Sequence, residues 1–290
     1  MKVGYLGPPN LTYGYQAAKK FTDGKNHVEL VSLSSHPEIC EAVAHGRVKV
    51  GIVAVENSID GVVNESIRPI AKLHEDFGLR VCAEIELPIQ LFLMRRPDAE
   101  GPPKQLVAHE KARGQSSNKM AAFMRTNNMT MAENFTAAKS NGAAAEMAKN
   151  DPSVVAIGLA DAAEKCGLVF VDPNPVTDSE KNYTRFWALS LSAAKPTKDD
   201  KTCFLVSMDQ PVPGGITKVL APFAAEKVNL LIVAPVSIEG RTWEYSFLME
   251  FKDNLENPRT QRALAAARDG GGAMTITCLG SYPIGTVVRR

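Results

Sequence analysis

Short apolar runs alternate with stretches of helical period from the first residues onward. Residues 3–6 form an apolar run that stops at Gly7-Pro8-Pro9-Asn10, and 13–21 place Ala17, Ala18 and Phe21 on one helical face. Residues 28–33 alternate as a strand does. Ser35 stands where it can cap a helix carrying Ile39, Val43 and Ala44. Residues 50–55 are apolar throughout, the mark of a strand buried on both faces. A helix over about 62–73 follows. The stretch 81–94 is β-prone and broken by Pro88, and it reads as a crossover into a second lobe. Beyond a loop at 95–104 come strand 106–108, helix 111–125, strand 129–132, helix 140–149, strand 154–157 and helix 159–166. After a Pro-containing loop at 172–179, residues 181–191 return to the first lobe. The alternation predicts an α/β protein of two lobes, one over about 1–80 plus 180–191 and the other over about 81–179.

Residues 192–200, with Pro196 among lysines and aspartates, read as a linker. Beyond it the pattern changes. Strand 202–208 leads to a turn at Pro213-Gly214-Gly215 and a helix over 216–227. Strands 229–237 and 242–251 flank Glu239-Gly240. A helix over 258–268 stops at Gly270-Gly271-Gly272, and strand 274–279 closes the set. The order βαββαβ predicts a ferredoxin-like domain over 201–290. That fold by itself names no function.

Composition narrows the classes. The chain has 290 residues, 44% hydrophobic and 22% charged, which is globular and large enough for more than one core. With 33 basic and 32 acidic residues the net charge is +1, which argues against a nucleic-acid partner. Cys40, Cys82, Cys166, Cys203 and Cys278 are scattered without a CxxC pair, so they read as reduced structural thiols of a cytoplasmic protein. The opening residues are too short an apolar run for a signal peptide, and no run reaches membrane-spanning length, so no membrane partner is expected.

Candidate chemistry collects at strand ends. In parallel α/β sheets ligands sit beyond the carboxyl ends of the strands. Glu56-Asn57-Ser58 follows the run at 50–55, and the 7–12 loop follows the first strand, so the two loops are expected on one rim. A third segment, Asn182-Tyr183-Thr184-Arg185, places an amide, a phenol, a hydroxyl and a guanidinium directly before the apolar Phe186-Trp187-Ala188-Leu189. Polar groups in front of a buried strand suit a pocket wall, and also an ordinary strand approach.

Four stretches together resemble prephenate dehydratases that carry a C-terminal ACT domain. They are the run from Glu56 to Glu65, Asn182-Tyr183-Thr184-Arg185-Phe186, the opening Tyr5-Leu6-Gly7-Pro8, and Trp243-Glu244-Tyr245 with Leu279-Gly280-Ser281-Tyr282-Pro283. The resemblance covers essentially the whole chain in order. It implies two lobes like a type II periplasmic binding protein, an ACT unit that senses an amino acid, and a homodimer or homotetramer. It also implies a lyase of phenylalanine biosynthesis that converts prephenate, a small dicarboxylate, to phenylpyruvate without metal or organic cofactor.

Prephenate loses a ring hydroxyl and a carboxylate, so the pocket needs a donor at the departing oxygen and cationic or amide donors at the acids. The resemblance makes Thr184 the donor to the hydroxyl. Arg185 is a natural fork for a carboxylate, a structural ion pair being the alternative. Asn57 and Ser58 are neutral donors or turn-capping groups. Glu56 orients a neighbour. His109 follows an apolar strand, where the family also has a histidine, with packing or a loop role as the alternative. Phe186 supports the site from the core, and Gly7 serves backbone geometry.

This chain also departs from the family pattern. The usual Gly-Pro-Glu-Gly-Thr-Phe-Ser is here Gly7-Pro8-Pro9-Asn10-Leu11-Thr12-Tyr13-Gly14. Glu110-Lys111 stands where proline and glutamine are usual, and Ser140-Asn141 where a Ser-Thr pair is usual. Thr12, Lys111 and Asn141 are therefore expected at the substrate. In the C-terminal unit Gly214-Gly215-Ile216 replaces Gly-Ala-Leu, and Ala234-Pro235-Val236-Ser237 replaces Glu-Ser-Arg-Pro, which should weaken or redirect phenylalanine sensing. The alternatives are a prephenate decarboxylase of secondary metabolism that keeps the ring hydroxyl, and a non-catalytic small-molecule sensor.

Overall fold

The computed structural model describes residues 1–208, 213–237, 244–270 and 274–285. Glu239-Gly240, Thr242, Trp243 and Gly271-Gly272 lie outside the described residues. The chain divides into two compact units. The first comprises Met1–Leu6, Ala17–Glu86 and the described residues from Arg185 on; the second comprises Gly7–Gln16 and Leu87–Thr184.

In chain order the elements are β1 (Lys2–Leu6), α1 (Tyr13–Thr22), β2 (Glu29–Leu33), α2 (His36–Ala44), β3 (Val50–Asn57), β4 (Gly61–Val62), α3 (Asn64–Phe77) and β5 (Arg80–Pro88). There follow β6 (Phe92–Arg95), β7 (Gln105–His109), α4 (Glu110–Gln115), α5 (Ser117–Thr126), α6 (Met131–Asn134), β8 (Phe135–Ala138), α7 (Asn141–Asn150), β9 (Val154–Gly158), α8 (Ala160–Cys166) and β10 (Val169–Phe170). The remainder is β11 (Tyr183–Ser190), β12 (Asp200–Met208), α9 (Gly215–Ala225), β13 (Leu230–Ser237), β14 (Tyr245–Phe251), α10 (Pro258–Gly270) and β15 (Met274–Pro283).

The first sheet runs β2-β1-β3-β11-β5, with β4 paired to β3. β1 is parallel to both neighbours, pairing Val3 with Leu30 and with Val50. Local chemistry sets the helix ends: Ser35 accepts from the Glu38 amide at the head of α2. At the end of α3, Gly78 takes φ 74°, a conformation that glycine adopts without a Cβ penalty. The apolar run 50–55 is buried on both faces as its composition requires.

The second sheet runs β10-β6-β9-β7-β8, with β7 parallel to β8 and β9. The strand expected at 129–132 is absent. Thr130 caps α6 by accepting from the Glu133 amide, and the strand begins after it, at Phe135. The helix expected over 111–125 is two, because buried Ser116 leaves helical geometry at ψ 15° between α4 and α5.

The third sheet is antiparallel, in the order β13-β14-β12-β15, and α9 and α10 cover one face through Phe204, Phe223, Phe251 and Ala263. Its other face shares a core with α3, β5 and β11, in which Cys203, Leu248 and Tyr282 meet Ile70, Val81 and Trp187. The division therefore differs from the expected one. Residues 80–86 belong to the first unit's sheet, residues 7–16 and 180–184 belong to the second unit, and the described residues from 201 on cluster with the first unit. No helix among the described residues is long and apolar enough to cross a membrane.

Candidate active site

In the second unit, two expected residues lie at the carboxyl ends of neighbouring strands. His109 ends β7 opposite Ala138, the last residue of its parallel neighbour β8. Asn141 opens α7 just beyond β8, where Ser140 caps the helix by accepting from the Ala143 amide. Both side chains thus leave the sheet at its carboxyl edge, the position ligands favour. Asn141 Oδ1 is buried without a hydrogen-bond partner, an acceptor left for a ligand donor.

The 7–16 segment docks on the same helix. Leu11 packs against Gly142 so closely that a Cβ there would stand 2.7 Å from Leu11 Cδ1. Lys165 Nζ donates to the Pro9 carbonyl at 3.0 Å, and Tyr13 donates to the Gln90 carbonyl at 3.0 Å. Burial holds the Tyr13 phenol protonated well above its usual range. Thr12 accepts from the Tyr15 amide at 3.1 Å, so its oxygen caps α1. Gly7 opens this segment. Lys111 is exposed on the first turn of α4, directly after His109. Residues 7–12 pack with α7 and α8 in the second unit, and 56–58 lie in the first.

In the first unit, Asn57 ends β3 and is buried. Its Oδ1 accepts from the amides of Ile59 at 2.9 Å and Asp60 at 3.0 Å, holding the turn into β4. Ser58 is exposed at the tip of this turn. Thr184 is the last residue of the second unit and the second residue of β11, half-buried. Phe186 is buried in the core.

Of the two roles expected for Arg185, carboxylate fork or structural ion pair, the structure displays the ion pair. Its side chain is 9% exposed, and its Nη1 donates to Glu84 Oε2 at 2.8 Å and to the two oxygens of Glu250 at 2.6 and 2.8 Å. Its Nε stands 3.0 Å from Glu56 Oε2, at ion-pair distance but out of line for a hydrogen bond. Burial opposes the charge of Arg185, but Glu250, Tyr282 and Glu84 outweigh it and raise the pKa further. A guanidinium committed to three protein carboxylates is a structural cation. Glu56 is the third of these carboxylates, on the turn side of β3.

The C-terminal residues singled out are spread over two elements. Gly214, at φ 71°, precedes α9; Gly215 and Ile216 open it; Ala234 and Ser237 lie on the edge strand β13. A cleft of about 500 Å³ in the first unit is lined by His74, Arg80, Cys278 and Ser281, and contains none of the expected site residues. Among the described residues no cluster of His, Cys, Asp or Glu could hold a metal ion.

A model of the prephenate dehydratase family matches residues 3–194, which takes in both polar loops and the Thr184 segment. The chain belongs to the prephenate dehydratase family. Among curated relatives, the prephenate dehydratase of Corynebacterium glutamicum is 30% identical over 289 residues, covering 97% of this chain and 87% of its own. A prephenate dehydratase from Arthrobacter aurescens, solved in complex with L-Phe, has the same fold at TM-score 0.82 and 24% identity, over 98% of this chain and 90% of its own. GqqA, described as a novel type of quorum-quenching acylase, superposes at TM-score 0.80 and 23% identity, over 98% of both chains. Shared fold alone therefore does not choose the reaction.

Sequence reasoning missed the partners of Arg185 in this prephenate dehydratase family member. The signal was present. Glu250 is a single acid inside the apolar run Phe247-Leu248-Met249-Glu250-Phe251, and Glu84 interrupts another at Val81-Cys82-Ala83-Glu84-Ile85. An isolated ionisable group at a core-facing strand position demands a charged partner.

Proposed function

We propose that this chain is a carbon–oxygen lyase that turns prephenate into phenylpyruvate, water and carbon dioxide. The observation that carries this reading is the family match over residues 3–194, with the Thr184 segment inside it. The ring carboxylate of prephenate leaves as carbon dioxide, and the electron pair of the broken carbon–carbon bond enters the ring as the carbon–oxygen bond to the hydroxyl breaks. The departing hydroxide takes one proton and leaves as water. Aromatisation supplies the driving force; the residues must stabilise charge growing on the oxygen.

Thr184 is the donor in this reading. Threonine is a poor acid, so it polarises the leaving oxygen or relays a proton from solvent. Asn57, Ser58, Thr12, His109, Lys111 and Asn141 are the proposed donors to the rest of the substrate. Arg185 is left out of that set because its guanidinium is held by Glu84 and Glu250. The reaction needs neither metal nor organic cofactor.

The C-terminal βαββαβ unit is read as an ACT domain that senses an amino acid, and the chain as a cytoplasmic homodimer or homotetramer. The Arthrobacter aurescens relative was solved with L-Phe, which supports an amino-acid effector. Ala234-Pro235-Val236-Ser237 supplies neither the Glu nor the Arg of the family pattern, so phenylalanine itself should bind weakly. Tight phenylalanine binding by titration calorimetry would overturn that part.

The deciding experiment is Thr184→Val with product analysis on prephenate and on arogenate. Turnover should fall about 100- to 1,000-fold with little change in KM, the range seen on removing one preorganised donor. Unchanged turnover removes Thr184 from the chemical step. A second reading, decarboxylation with the ring hydroxyl retained, is favoured by the altered loop Gly7-Pro8-Pro9-Asn10, and a non-aromatic dihydro acid as product would establish it. Thermal stabilisation by prephenate with no product at all would instead mark a sensor.

A further inference from the structure

Five strands of the first unit send one side chain each into a single buried charge cluster. Glu84 comes from β5, Arg185 from β11, Lys201 from β12, Glu250 from β14 and Tyr282 from β15. Arg185 Nη1 joins Glu84 and Glu250. Lys201 Nζ donates to both oxygens of Glu84 at 2.8 and 3.0 Å, and the Gly285 amide donates to Glu84 Oε1 at 3.2 Å. The Tyr282 hydroxyl donates to Glu250 Oε2 at 2.7 Å. Side-chain exposure is 0% for Glu84 and 1% for Glu250, against 9% for Arg185 and 11% for Lys201. Two buried cations thus face two buried carboxylates. Glu56 and Glu86 border the cluster from positions about a third and a quarter exposed.

Apolar filling of the same volume would hold the strands together as well, since desolvation offsets most of the attraction in a buried ion cluster. What ion pairs add is register, because each charge has one acceptable position. Here the register fixed is that of Arg185, the next residue after Thr184 on β11. Consecutive strand residues face opposite sides, so holding Arg185 toward the C-terminal sheet fixes the opposite direction for Thr184.

We propose that Glu250 and Glu84 are positioning residues for the lyase reaction: through Arg185 they hold the backbone that presents Thr184, so that a strand of the C-terminal sheet sets the geometry of the catalytic hydroxyl. The proposal rests on the reading of Thr184 as the donor.

The test uses the full chain carrying Glu250→Gln, with Tyr282→Phe as a milder second variant that removes one hydrogen bond and no charge. Two readouts are taken. With prephenate, kcat should fall about 10- to 100-fold in Glu250→Gln while KM stays within about twofold, as a small misplacement of a catalytic group predicts. By hydrogen exchange, the amides of residues 183–186 should exchange at least about tenfold faster than in the unaltered chain, while those of β9 keep their rates. Tyr282→Phe should move both readouts in the same direction by about two- to fivefold. Native near-UV circular dichroism certifies the fold. Unaltered exchange at 183–186 in a folded Glu250→Gln chain overturns the proposal; if that variant does not fold, unaltered exchange in Tyr282→Phe does. An unaltered chain that leaves prephenate untouched refutes the lyase reading instead, and the exchange readout still decides the positioning.

Discussion

Gly280 of β15 lies on the backbone of Val81 of β5, so close that a Cβ at Gly280 would overlap the Val81 carbonyl and stand 3.0 Å from its nitrogen. β15 and β5 are edge strands of different sheets. Their backbones meet because glycine leaves the room. Gly285 repeats the contact, with a Cβ position 2.7 Å from the Glu84 carbonyl.

Gly280→Ala should therefore prise the C-terminal sheet from β5. Neither partner is a side chain that can turn away, so the loss should lie toward the upper end of the ~1–3 kcal/mol typical of overpacking. Gly114→Ala, in α4, is the control, because a Cβ there would meet nothing within 4 Å. Urea unfolding compares them. A Gly280→Ala chain as stable as the unaltered one would show that the close approach does not hold in solution.

Asn57 separates two roles by substitution. Its Oδ1 holds the 57–60 turn, and Asn57→Asp keeps that acceptor whereas Asn57→Ala does not. Asn57→Ala should lose about 1–2 kcal/mol, the usual cost of a turn-capping side chain, and Asn57→Asp less than half as much. If the amide also donates to substrate, Asn57→Asp loses kcat/KM at nearly unaltered stability. Equal melting losses in the two variants would disprove the turn-capping role.

The cysteines should be chemically quiet. Burial pushes the Cys40 thiol up to about 12 and Cys82 up to about 11, and it raises Cys166, Cys203 and Cys278 as well. The thiolate is the reactive form, and at pH 8 all five are thiols. Iodoacetamide at pH 8 should leave the native chain almost unmodified and label all five residues after denaturation. Rapid labelling of a native cysteine with loss of turnover would overturn this and make that thiol a site residue.

Much of the fold was legible because each signal was local. The buried runs of β3 and β9 and the caps at Ser35 and Ser140 are decided within a few residues. The strand misplaced at 129–132 was also a local matter, since Thr130-Met131-Ala132-Glu133 is a capping signature that outweighs its apolar content. The site was less legible for a different reason. Thr184 and Asn57 could be singled out by type, but the fate of Arg185 depended on Glu84 and Glu250, 101 and 65 residues away in sequence. Polar residues before a strand look the same whether they face a ligand or a buried carboxylate. Tertiary pairing alone distinguishes the two.

Glu86 gives the charge cluster a pH signature. Burial, and next the negative charge of Glu84, raise its pKa above the ordinary carboxylate value; Lys201 and Arg185 pull the other way without cancelling the shift. The folded chain therefore keeps this proton to higher pH than the unfolded chain, whose glutamate titrates near 4.3 as in model peptides. Between those two values the folded state binds more protons than the unfolded one, so stability falls as pH rises through that window. Above the raised value the carboxylate charge is a standing cost. Glu86→Gln removes it, and the variant should melt about 1–3 °C higher than the unaltered chain at pH 7, a small shift because the side chain is partly solvated. The difference should shrink as pH is lowered and vanish well below the unfolded value, where the glutamate is protonated in both states. Other carboxylates titrate over the same range, so the informative quantity is the difference between the two chains measured pairwise at each pH. A difference of the opposite sign, with Glu86→Gln less stable at pH 7, would mean that Lys201, 4.0 Å away, dominates and that Glu86 belongs to the cluster as a full ion-pair partner.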